Sequence, residues 1–396
     1  MSEWIRMKLS ECCSSIADGD HQPPPKAETG IPFVTISNMT SSNQFDFSDT
    51  LFVPQEYYDK LDEKRKARKD DILYSVVGSF GIPVFMKEDK VFVFQRHIAI
   101  LRPDNKKIVP RFLFYTMLTK DFYAKADAAA IGAAQRTVSL TALRNMEICI
   151  PDKIQQSKIV DTLVAYDDLI ENNQKQILLL EEASQRLYKE WFVDLRFPRY
   201  EDIEIVDGVP KGWTVKSMED IADYLNGYAF KPSDWGEVGK PIIKIKELND
   251  GITTDTPRNT GDDIPEKYRV FPGDIVFSWS ATLTAKIWDA EEGLLNQHLF
   301  NVTPYDGFCR EYVLQSILKT LDEFRNLTTG STMKHIQRGK LKQVFVKVPS
   351  PKIMDEYKKY ADTIRQQILV LGHKIILLQE ARDRLLPKLM NGEMEI

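Results

Sequence analysis

The sequence is poor in cysteine and has no long apolar run. Its 396 residues include four cysteines, and no two of them form a Cys-x-x-Cys pair. Cys12 and Cys13 are adjacent, which is a poor frame for disulfide bonds. Neither an apolar run of about 18 residues nor a charged and then apolar start with a cleavage site occurs. We therefore expect a protein of the reducing cytoplasm that is neither secreted nor membrane-spanning.

The motifs of several enzyme classes are also missing. There is no GxxxxGK[ST] phosphate loop, which argues against nucleotide hydrolysis. The five histidines form no HExxH motif and have no histidine or cysteine three or four residues away, so no metal site is predicted. The only Pro-Pro stretch, HQPPPK at 21–26, lacks the flanking residues that a loop for methylating adenine amino groups would need. We expect no cofactor in this chain.

One nuclease-like pattern remains. Asp71, followed by Glu88 and Lys90, resembles the two carboxylates and lysine that bind Mg²⁺ and activate water. The second half of the chain lacks the lysine, because Asp274 is followed by Glu-Glu-Gly at 291–293. Charged residues make up 28% of the chain, so such spacings arise easily by chance. We favour a strand-edge aspartate and a charged turn, with a DNA nuclease as the weaker alternative.

The charge balance restricts how the chain could bind nucleic acid. The net charge is −5. Residues 1–150 carry 20 Lys and Arg against 19 Asp and Glu, and residues 201–350 carry 18 against 23. Neither region is basic, which argues against a stand-alone protein that holds nucleic acid by bulk attraction to phosphates. If DNA is the partner, a local face or other subunits must supply the positive charge.

A hydrophobic repeat of 3.5 residues runs from Ile159 to Trp191 and predicts a helix that packs along its whole length. The same pattern returns 198 residues later, from Tyr357 to Leu389. This fixed offset indicates an internal duplication. The predicted seam positions are Ile159, Leu163, Tyr166, Ile170, Asn173, Ile177, Leu180 and Leu187, and Ile364, Ile368, Leu371, Ile375, Leu378 and Leu385.

The two seam helices could be ordinary core helices, an oligomerisation zipper or partners within one chain. Polar seam residues such as Asn173, Ser184 and Arg382 fix register and partner at a cost in stability. Pairing within the chain is the simplest interpretation. About 33 residues at 1.5 Å each would form a rod of roughly 50 Å, which matches about 15 base pairs of B-DNA at 3.4 Å per pair.

Each half of the chain shows the same order of strands and helices. IPFVTIS at 31–37 corresponds to KPIIKIKEL at 240–248, each preceded by glycine, and DILYS corresponds to DIVFS. Mixed strands and helices predict the α+β (mixed α/β) class for both halves. The predicted boundaries are a first domain at 1–151, a first long helix at 152–197, a linker at 198–212, a second domain at 213–349 and a second long helix at 350–392.

Polar loops at equivalent places in the two halves are candidates for DNA recognition, because their frame is shared while their residue types differ. Arg, Lys, Gln, Asn, Ser and Thr side chains are those that read base edges in the major groove. The alternative is that these are surface loops that drifted, and that Trp279 and Trp288 are packing residues. The candidates are Ser75, Ser79, Phe80, Gln135, Arg136 and Thr137 in the first half, and Lys244, Lys246, Ser278, Trp279, Ser280, Thr282, Thr332, Lys334, His335 and Gln337 in the second. The more alike Gln95–His97 and Asn296–His298 are predicted to be structural.

The order of these features resembles the specificity (S) subunit of Type I restriction–modification systems over nearly the whole chain. The stretches that carry the resemblance are IQQSKIVDTLVAYDDLIENN at 154–173, RLYKEWFVDLRFP at 186–198 and LLPKLMNGEM at 385–394. The Gly-x-Pro strand entry, DILYS and DIVFS, and the polar loop before each long helix add to it. This order occurs twice, which makes the resemblance specific.

The resemblance implies two target recognition domains separated by an antiparallel pair of coiled-coil helices. Each domain would read one half of a split double-stranded DNA site, and the helices would set the unread spacer. It also implies two methylation (M) subunits that carry S-adenosylmethionine, and restriction (R) subunits that use ATP and Mg²⁺. The S chain itself would catalyse nothing. The main alternative is a scaffold that presents two protein-binding domains.

Overall fold

The computed structural model describes residues 4–19, 21, 24–40, 42–132, 135–253, 255–280, 282–327, 338–394 and 396. The chain divides into two compact units, and the boundary crosses both long helices. The first unit contains residues 1–170 and 376–396, and the second contains residues 171–375. Each unit therefore has one globular domain, called here the first and the second domain, together with part of each long helix.

The first domain contains two main sheets. A four-stranded antiparallel sheet has the order β2-β8-β5-β6, and a three-stranded sheet has the order β4-β3-β7 with β3 and β7 parallel. Strands β1 and β9 pair at the point where the chain enters and leaves the domain. The strands are β1 Ile5–Lys8, β2 Cys13–Asp18, β3 Ile31–Val34, β4 Leu51–Val53, β5 Ile72–Ser75, β6 Pro83–Phe85, β7 Val93–Phe94, β8 Ile98–Pro103 and β9 Glu147–Ile150; the helices are α1 Leu9–Cys12, α2 Gln55–Asp59, α3 Pro110–Met117, α4 Lys120–Ala129, α5 Leu140–Asn145 and the long α6 Lys153–Tyr188.

The second domain repeats this topology. Its antiparallel sheet has the order β13-β20-β17-β18, its second sheet the order β15-β14-β19-β16, and β12 pairs with β21. The strands are β10 Ile205–Val206, β11 Val209–Pro210, β12 Thr214–Ser217, β13 Ala222–Asn226, β14 Lys240–Ile243, β15 Arg258–Asn259, β16 Arg269–Val270, β17 Ile275–Ser278, β18 Thr284–Ile287, β19 Gly293–Leu295, β20 Leu299–Pro304 and β21 Phe345–Val348; the helices are α7 Ile245–Asp250, α8 Arg310–Lys319, α9 Leu321–Asn326 and the long α10 Pro351–Met390. The predicted α+β class and the internal repeat are confirmed.

The local sequence explains the centre of each sheet. All four residues of β5 and all four of β17 are buried, as expected of short apolar runs inside a core. The glycines before β3 and β14 are required by backbone geometry. Gly30 and Gly239 have φ of +142° and +104°, and an added Cβ would lie 2.4 Å from Val53 O and 2.3 Å from Asn259 O. Each half therefore needs glycine where the chain enters its second sheet.

The ends of the long helices follow from their sequences. Asp152 Oδ1 accepts a hydrogen bond from Gln155 N at 2.9 Å and so caps the start of α6. Helix α10 begins at Pro351, whose missing N–H costs nothing at the first position. Helix α6 continues into a single π turn at Lys189–Val193 before Pro198. No helix in the described part of the chain is long and apolar enough to cross a membrane.

Every predicted seam position is buried or half-buried, as expected for side chains on the packed face of a helix. In the first unit, Asp167 contacts Arg382, and Lys158 Nζ reaches the carbonyl of Ile396, so the two helix parts there are antiparallel. In the second unit, Trp191 packs on the ring of Tyr357 at 5.7 Å between ring centroids. Trp191 lies just after the C-terminal end of α6, and Tyr357 lies near the N-terminal end of α10.

Candidate nucleic-acid interface

In the first domain, two loops that follow β5 and precede α5 form one surface. Val138 N donates to Val76 O and Gly78 N donates to Arg136 O, both at 2.9 Å. These bonds bring together four predicted recognition residues. Ser79, Gln135 and Arg136 are exposed, and Thr137 is half-buried. They make up a small exposed polar surface with hydrogen-bonding groups of the kind that can read base edges.

Arg136 is held by neighbours that sequence reasoning missed. Its guanidinium forms an ion pair with Asp127 and lies 5.6 Å from the ring centroid of Phe80. Phe80 stacks on Tyr123 with 5.7 Å between ring centroids and 12° between ring planes. The stack positions the arginine, and the carboxylate offsets its charge. A sequence pattern could not reveal this, because Asp127 lies on α4 rather than in the loop.

Two predicted recognition residues of the first domain are not accessible. Ser75 is buried, and its Oγ accepts a hydrogen bond from Ile82 N at 2.9 Å. Phe80 is buried as well and forms part of the core. Both side chains are buried beneath the loop, so they cannot contact a base in this conformation. The pattern had placed them next to a strand end without showing which way they point.

The equivalent loop of the second domain is also partly buried. Ser278 and Ser280 are both buried, and Ser278 Oγ donates to Ser280 O at 3.1 Å, so neither serine is available to DNA here. Trp279 is half-buried, and its Nε1 donates to Asn226 Oδ1 at 3.0 Å, in agreement with the packing alternative. Thr282 is exposed.

The remaining candidates of the second domain are two lysines and a loop. Lys244 Nζ lies 4.5 Å from the ring centroid of Trp235, and Lys246 is exposed at the start of α7. Lys246 is therefore accessible to a phosphate or a base edge, whereas Lys244 is half-buried beside the Trp235 ring. Four further candidates lie outside the described residues, and for them the sequence prediction stands as it was made: Thr332, Lys334, His335 and Gln337.

The turns Gln95–His97 and Asn296–His298 support the structural prediction made for them. Ile98 N donates to Gln95 O, and Leu299 N donates to Asn296 O, so both turns connect the second sheet to the central strand in the same way. Burial, and secondarily the neighbouring Arg96 charge, lower the pKa of His97. Its imidazole is therefore neutral at pH 7.

A cavity of about 290 Å³ opens beside the turn of the first domain. We call it the strand-end cavity, because it begins where β2 and β5 end. Its walls combine aliphatic groups with a carboxylate, a guanidinium, an imidazole and two hydroxyls. The lining residues are Asp18, Val76, Val77, Arg96, His97, Thr137, Val138, Ser139 and Leu140.

The nuclease-like pattern does not form a metal site. Asp71 is 1% exposed and is held by Arg102, whose Nε and Nη2 lie 3.0 and 2.9 Å from its two carboxylate oxygens. Lys90 Nζ lies 3.5 Å from the ring centroid of Phe47. Across the described residues, no three His, Cys, Asp or Glu side chains are grouped so that they could hold a metal ion. Asp71 would have to leave a buried bidentate pair to bind Mg²⁺.

Each unit contains a polar cluster that attaches its domain to the long helices. In the first unit, Asp167 accepts from Tyr115 Oη at 2.5 Å and from Arg382 Nη1 at 2.8 Å. We call these three residues the first polar cluster. Burial, and secondarily the bond to Asp167, raise the pKa of Tyr115, so the phenol remains protonated and donates.

The second polar cluster consists of Ser184, Glu311, Gln315 and Arg365. Glu311 is 3% exposed. Its Oε2 accepts from Arg365 Nη2 at 2.8 Å, and its Oε1 accepts from Ser184 Oγ at 2.7 Å and from Gln315 Nε2 at 2.8 Å. The carboxylate comes from the domain here, whereas in the first unit it comes from the long helix. Both clusters hold a buried or half-buried charge that is paired and hydrogen-bonded.

Both long helices also carry exposed apolar pairs. Leu178 and Leu179 are 64% and 65% exposed, and Ile376 and Leu377 are 46% and 51% exposed. The two pairs are separated by the same 198 residues as the seam positions. Contiguous exposed apolar surface marks sites of protein–protein contact when it is large, so these pairs are candidates for such a site.

Comparisons with known proteins agree with the repeat. The family model described as "Type I restriction modification DNA specificity domain" matches residues 1–182 and 210–371. The HindI specificity subunit of Haemophilus influenzae is 24% identical over 100% of both chains. The MjaIX specificity subunit of Methanocaldococcus jannaschii is 24% identical over 73% of this chain and 70% of its own.

A solved structure shows the same fold. The crystal structure of a Type I restriction–modification system S subunit from M. genitalium has a TM-score of 0.54 at 15% identity, and the likeness covers 98% of this chain and 96% of that one. The two segments that match the family model correspond to the two halves of the internal repeat. The solved structure therefore supports the fold, and the family model supports the repeat.

Proposed function

We propose, since the chain belongs to the family of Type I restriction–modification DNA specificity subunits, that each of its domains reads one half of a bipartite double-stranded DNA site. The observation that carries this proposal is the repetition of one sheet topology in both domains with different residues in the equivalent loops. Exposed Ser79, Gln135 and Arg136 are the candidate readers of the first domain. Exposed Lys246 and Thr282 are those of the second.

We further propose that the long helices set the unread spacer between the two half-sites. Helix α6 has 36 residues and α10 has 40, which at 1.5 Å per residue correspond to about 54 and 60 Å. Their seam positions are buried or half-buried throughout, as a rigid spacer requires. Because the seam repeats every seven residues, the length can change only in steps that preserve it.

The exposed apolar pairs on the helices are proposed to dock two methylation subunits. Leu178 and Leu179 would contact one subunit, and Ile376 and Leu377 would contact the other, since the repeat gives the same partner two equivalent surfaces. S-adenosylmethionine would be bound by these subunits, and ATP and Mg²⁺ by restriction subunits. In this proposal the chain binds no cofactor and catalyses nothing. The net charge of −5 is consistent with partner subunits that supply part of the phosphate neutralisation.

The proposal is tested by mapping DNA methylation in cells that express this chain with its neighbouring methylation subunit. Single-molecule sequencing should detect a methylated bipartite motif that disappears when this chain is deleted. Replacing residues 1–151 by the equivalent domain of a relative should change one half of the motif only. Methylation that persists without this chain, by a partner shown to be active, would favour a scaffold instead.

The spacer is tested separately by inserting seven residues after Ile170 and seven after Ile375, where the unit boundary crosses each helix. The insertion keeps the seam phase and lengthens each helix by about 10 Å, so the spacer should grow by about three base pairs. An insertion of four residues in each helix breaks the phase and serves as the matched control. An unchanged spacer in an active variant with the seven-residue insertions would contradict the proposal that the long helices set the spacer.

A further inference from the structure

One equivalent position at the end of a strand differs strongly in side-chain size between the two domains. Ser75 pairs with Ile98 at the end of β5, and Ser278 pairs with Leu299 at the end of β17. The next residue of each strand end is therefore equivalent. It is valine, Val76, in the first domain and tryptophan, Trp279, in the second.

The second domain fills this place with its own indole ring. Trp279 Nε1 donates to Asn226 Oδ1 at 3.0 Å. The ring lies 6.0 Å from His298 and 5.8 Å from Phe300, measured between ring centroids. A fused bicyclic aromatic ring with an N–H donor is thus accommodated between a histidine and a side-chain oxygen at the strand end.

The first domain keeps the histidine and the oxygen but leaves the ring position open. Strand register makes Asp18 equivalent to Asn226, because Asp18 pairs with Ala99 and Asn226 pairs with Phe300, at corresponding positions of β8 and β20. His97 precedes β8 as His298 precedes β20. Between these groups lies the strand-end cavity of about 290 Å³, near the lower end of the roughly 300–1,000 Å³ typical of small-ligand pockets.

The chemistry of the cavity walls restricts the ligand. Val76, Val77, Val138 and Leu140 line it and suit the faces of a planar ring, as apolar side chains do in pockets for nucleobases. An ionised carboxylate only accepts hydrogen bonds, so Asp18 selects a ring with N–H donors. His21 Nε2 lies 2.8 Å from Asp18 Oδ2 and holds the carboxylate in place.

We propose that the strand-end cavity of the first domain binds a purine ring, with guanine preferred. The guanine edge offers N1–H and an exocyclic amine to Asp18, whereas adenine offers an amine alone. Exposed Arg96 at the mouth is placed to contact a phosphate attached to the purine. In the second domain, the indole of Trp279 occupies the corresponding place and excludes such a ligand.

The purine could come from two sources with the same chemistry. It could be an unpaired guanine of the DNA that the first domain contacts, or a free guanine nucleotide. The proposal depends on the cavity and not on bipartite DNA recognition. Binding of an intact duplex and binding of a purine are therefore measured separately, and either can fail without the other.

The test uses the purified full-length chain and titrates it calorimetrically with guanosine, adenosine and cytidine 5′-monophosphate. Guanosine monophosphate should bind saturably, adenosine monophosphate more weakly, and cytidine monophosphate not at all. A parallel titration compares a duplex that carries one unpaired guanine with the same duplex fully paired. Tighter binding of the unpaired guanine identifies DNA as the source, and binding of the free nucleotide alone identifies a soluble ligand.

Variants assign the binding to the cavity. Asp18→Asn introduces the residue found at the equivalent position of the second domain. It should lower the affinity for guanosine monophosphate about tenfold, the loss expected for one charge-assisted hydrogen bond. Val76→Trp should abolish binding by placing an indole in the cavity. Trp279→Val should leave the first site unchanged and open a second, weaker one.

Two outcomes would overturn the proposal. The first is that the folded wild-type chain neither binds guanosine monophosphate saturably nor prefers the duplex with the unpaired guanine. The second is binding that neither Asp18→Asn nor Val76→Trp changes. Since Val76 is buried and Val76→Trp could prevent folding, each variant is checked by its melting temperature. Arg96→Ala changes an exposed side chain and gives an independent test. It should lower the affinity for guanosine monophosphate more than the affinity for the nucleoside guanosine.

Discussion

The two polar clusters occupy equivalent places but have opposite polarity. Asp167 of α6 corresponds to Arg365 of α10 at the offset of 198 residues, and Arg382 corresponds to Ser184. The long helix supplies the carboxylate in the first unit, whereas the domain supplies it, as Glu311, in the second unit. After duplication, the position of the contact was retained while donor and acceptor changed sides.

The clusters also differ in burial, and this difference sets their expected energetic weight. The Glu311 side chain is 4% exposed and that of Arg365 is 19% exposed. The Asp167 side chain is 22% exposed and that of Arg382 is 27% exposed. A charged side chain that loses its partner destabilises the folded state more where water cannot reach it. The second cluster should therefore be the more sensitive of the two, and the following variants test this comparison.

The largest effect is expected for Arg365→Met, which leaves the Glu311 carboxylate buried without its cation. The free energy of unfolding of the second unit should fall by about 3–5 kcal/mol. The matched variant in the first unit, Arg382→Met, leaves a carboxylate that water and Tyr115 still reach, so its cost should be smaller. Hydrogen exchange resolved by unit measures both values, and equal losses would contradict the comparison.

A second variant reverses the polarity of the first cluster. Asp167→Arg places two cations, at positions 167 and 382, beside Tyr115 and should cost about 2–3 kcal/mol, less than a fully buried pair because both sites are partly exposed. Adding Arg382→Glu should recover at least half of this loss, as measured by a double-mutant cycle in urea. If the double variant is no more stable than Asp167→Arg, the ion pair between positions 167 and 382 does not stabilise the first polar cluster.

Substitution of the two buried strand-end serines, Ser75 and Ser278, should lower the free energy of unfolding by less than the variants of the polar clusters. Ser75→Ala removes the acceptor of Ile82 N and should cost about 1–2 kcal/mol, because a backbone N–H loses its partner. Ser278→Ala removes a donor to Ser280 O and should cost about 0.5–1.5 kcal/mol. Thermal unfolding gives both values. Neither variant should change the methylated motif, and a changed motif would show that the serines read DNA after all.

The smallest effect is expected at the surface loop of the first domain. Asp127→Asn removes the carboxylate that pairs with Arg136 and should tighten binding to the target duplex about three- to tenfold at low salt, with a steeper salt dependence. Lys246 of the second domain is an exposed cation at the start of α7, and it adds one positive charge to the surface that is proposed to contact phosphates. Lys246→Gln should therefore weaken binding. Unchanged affinity in Asp127→Asn would place Arg136 away from DNA.

Much of the fold was predictable because the periodic signals were long. The seam from Ile159 to Trp191 and its copy define two helices, since a wrong period would expose apolar residues along their whole length. The glycines at 30 and 239 and the buried runs at 72–75 and 275–278 marked the equivalent strands. The π turn at Lys189–Val193 was not predicted, because its residues continue the helical pattern.

The candidate recognition residues were predicted less completely. Sequence spacing identified the loops that contain Ser79, Gln135 and Arg136, which the structure brings together. It could not tell these residues from Ser75 and Ser278, because at a strand end an exposed and a buried polar side chain look alike in sequence. The partners Asp127 and Tyr123 come from another helix and carry no local signal.

The sequence by itself determined the duplication, the α+β class, the long helices and the missing catalytic motifs, because each is recorded in periodic or local patterns. Tertiary structure alone decided which loop residues are accessible, which carboxylate pairs with which arginine, and that a cavity remains beside Val76 where Trp279 fills its counterpart. These properties depend on the direction of side chains that are distant in the chain. Burial and pairing arise only when the sheets and helices pack against each other.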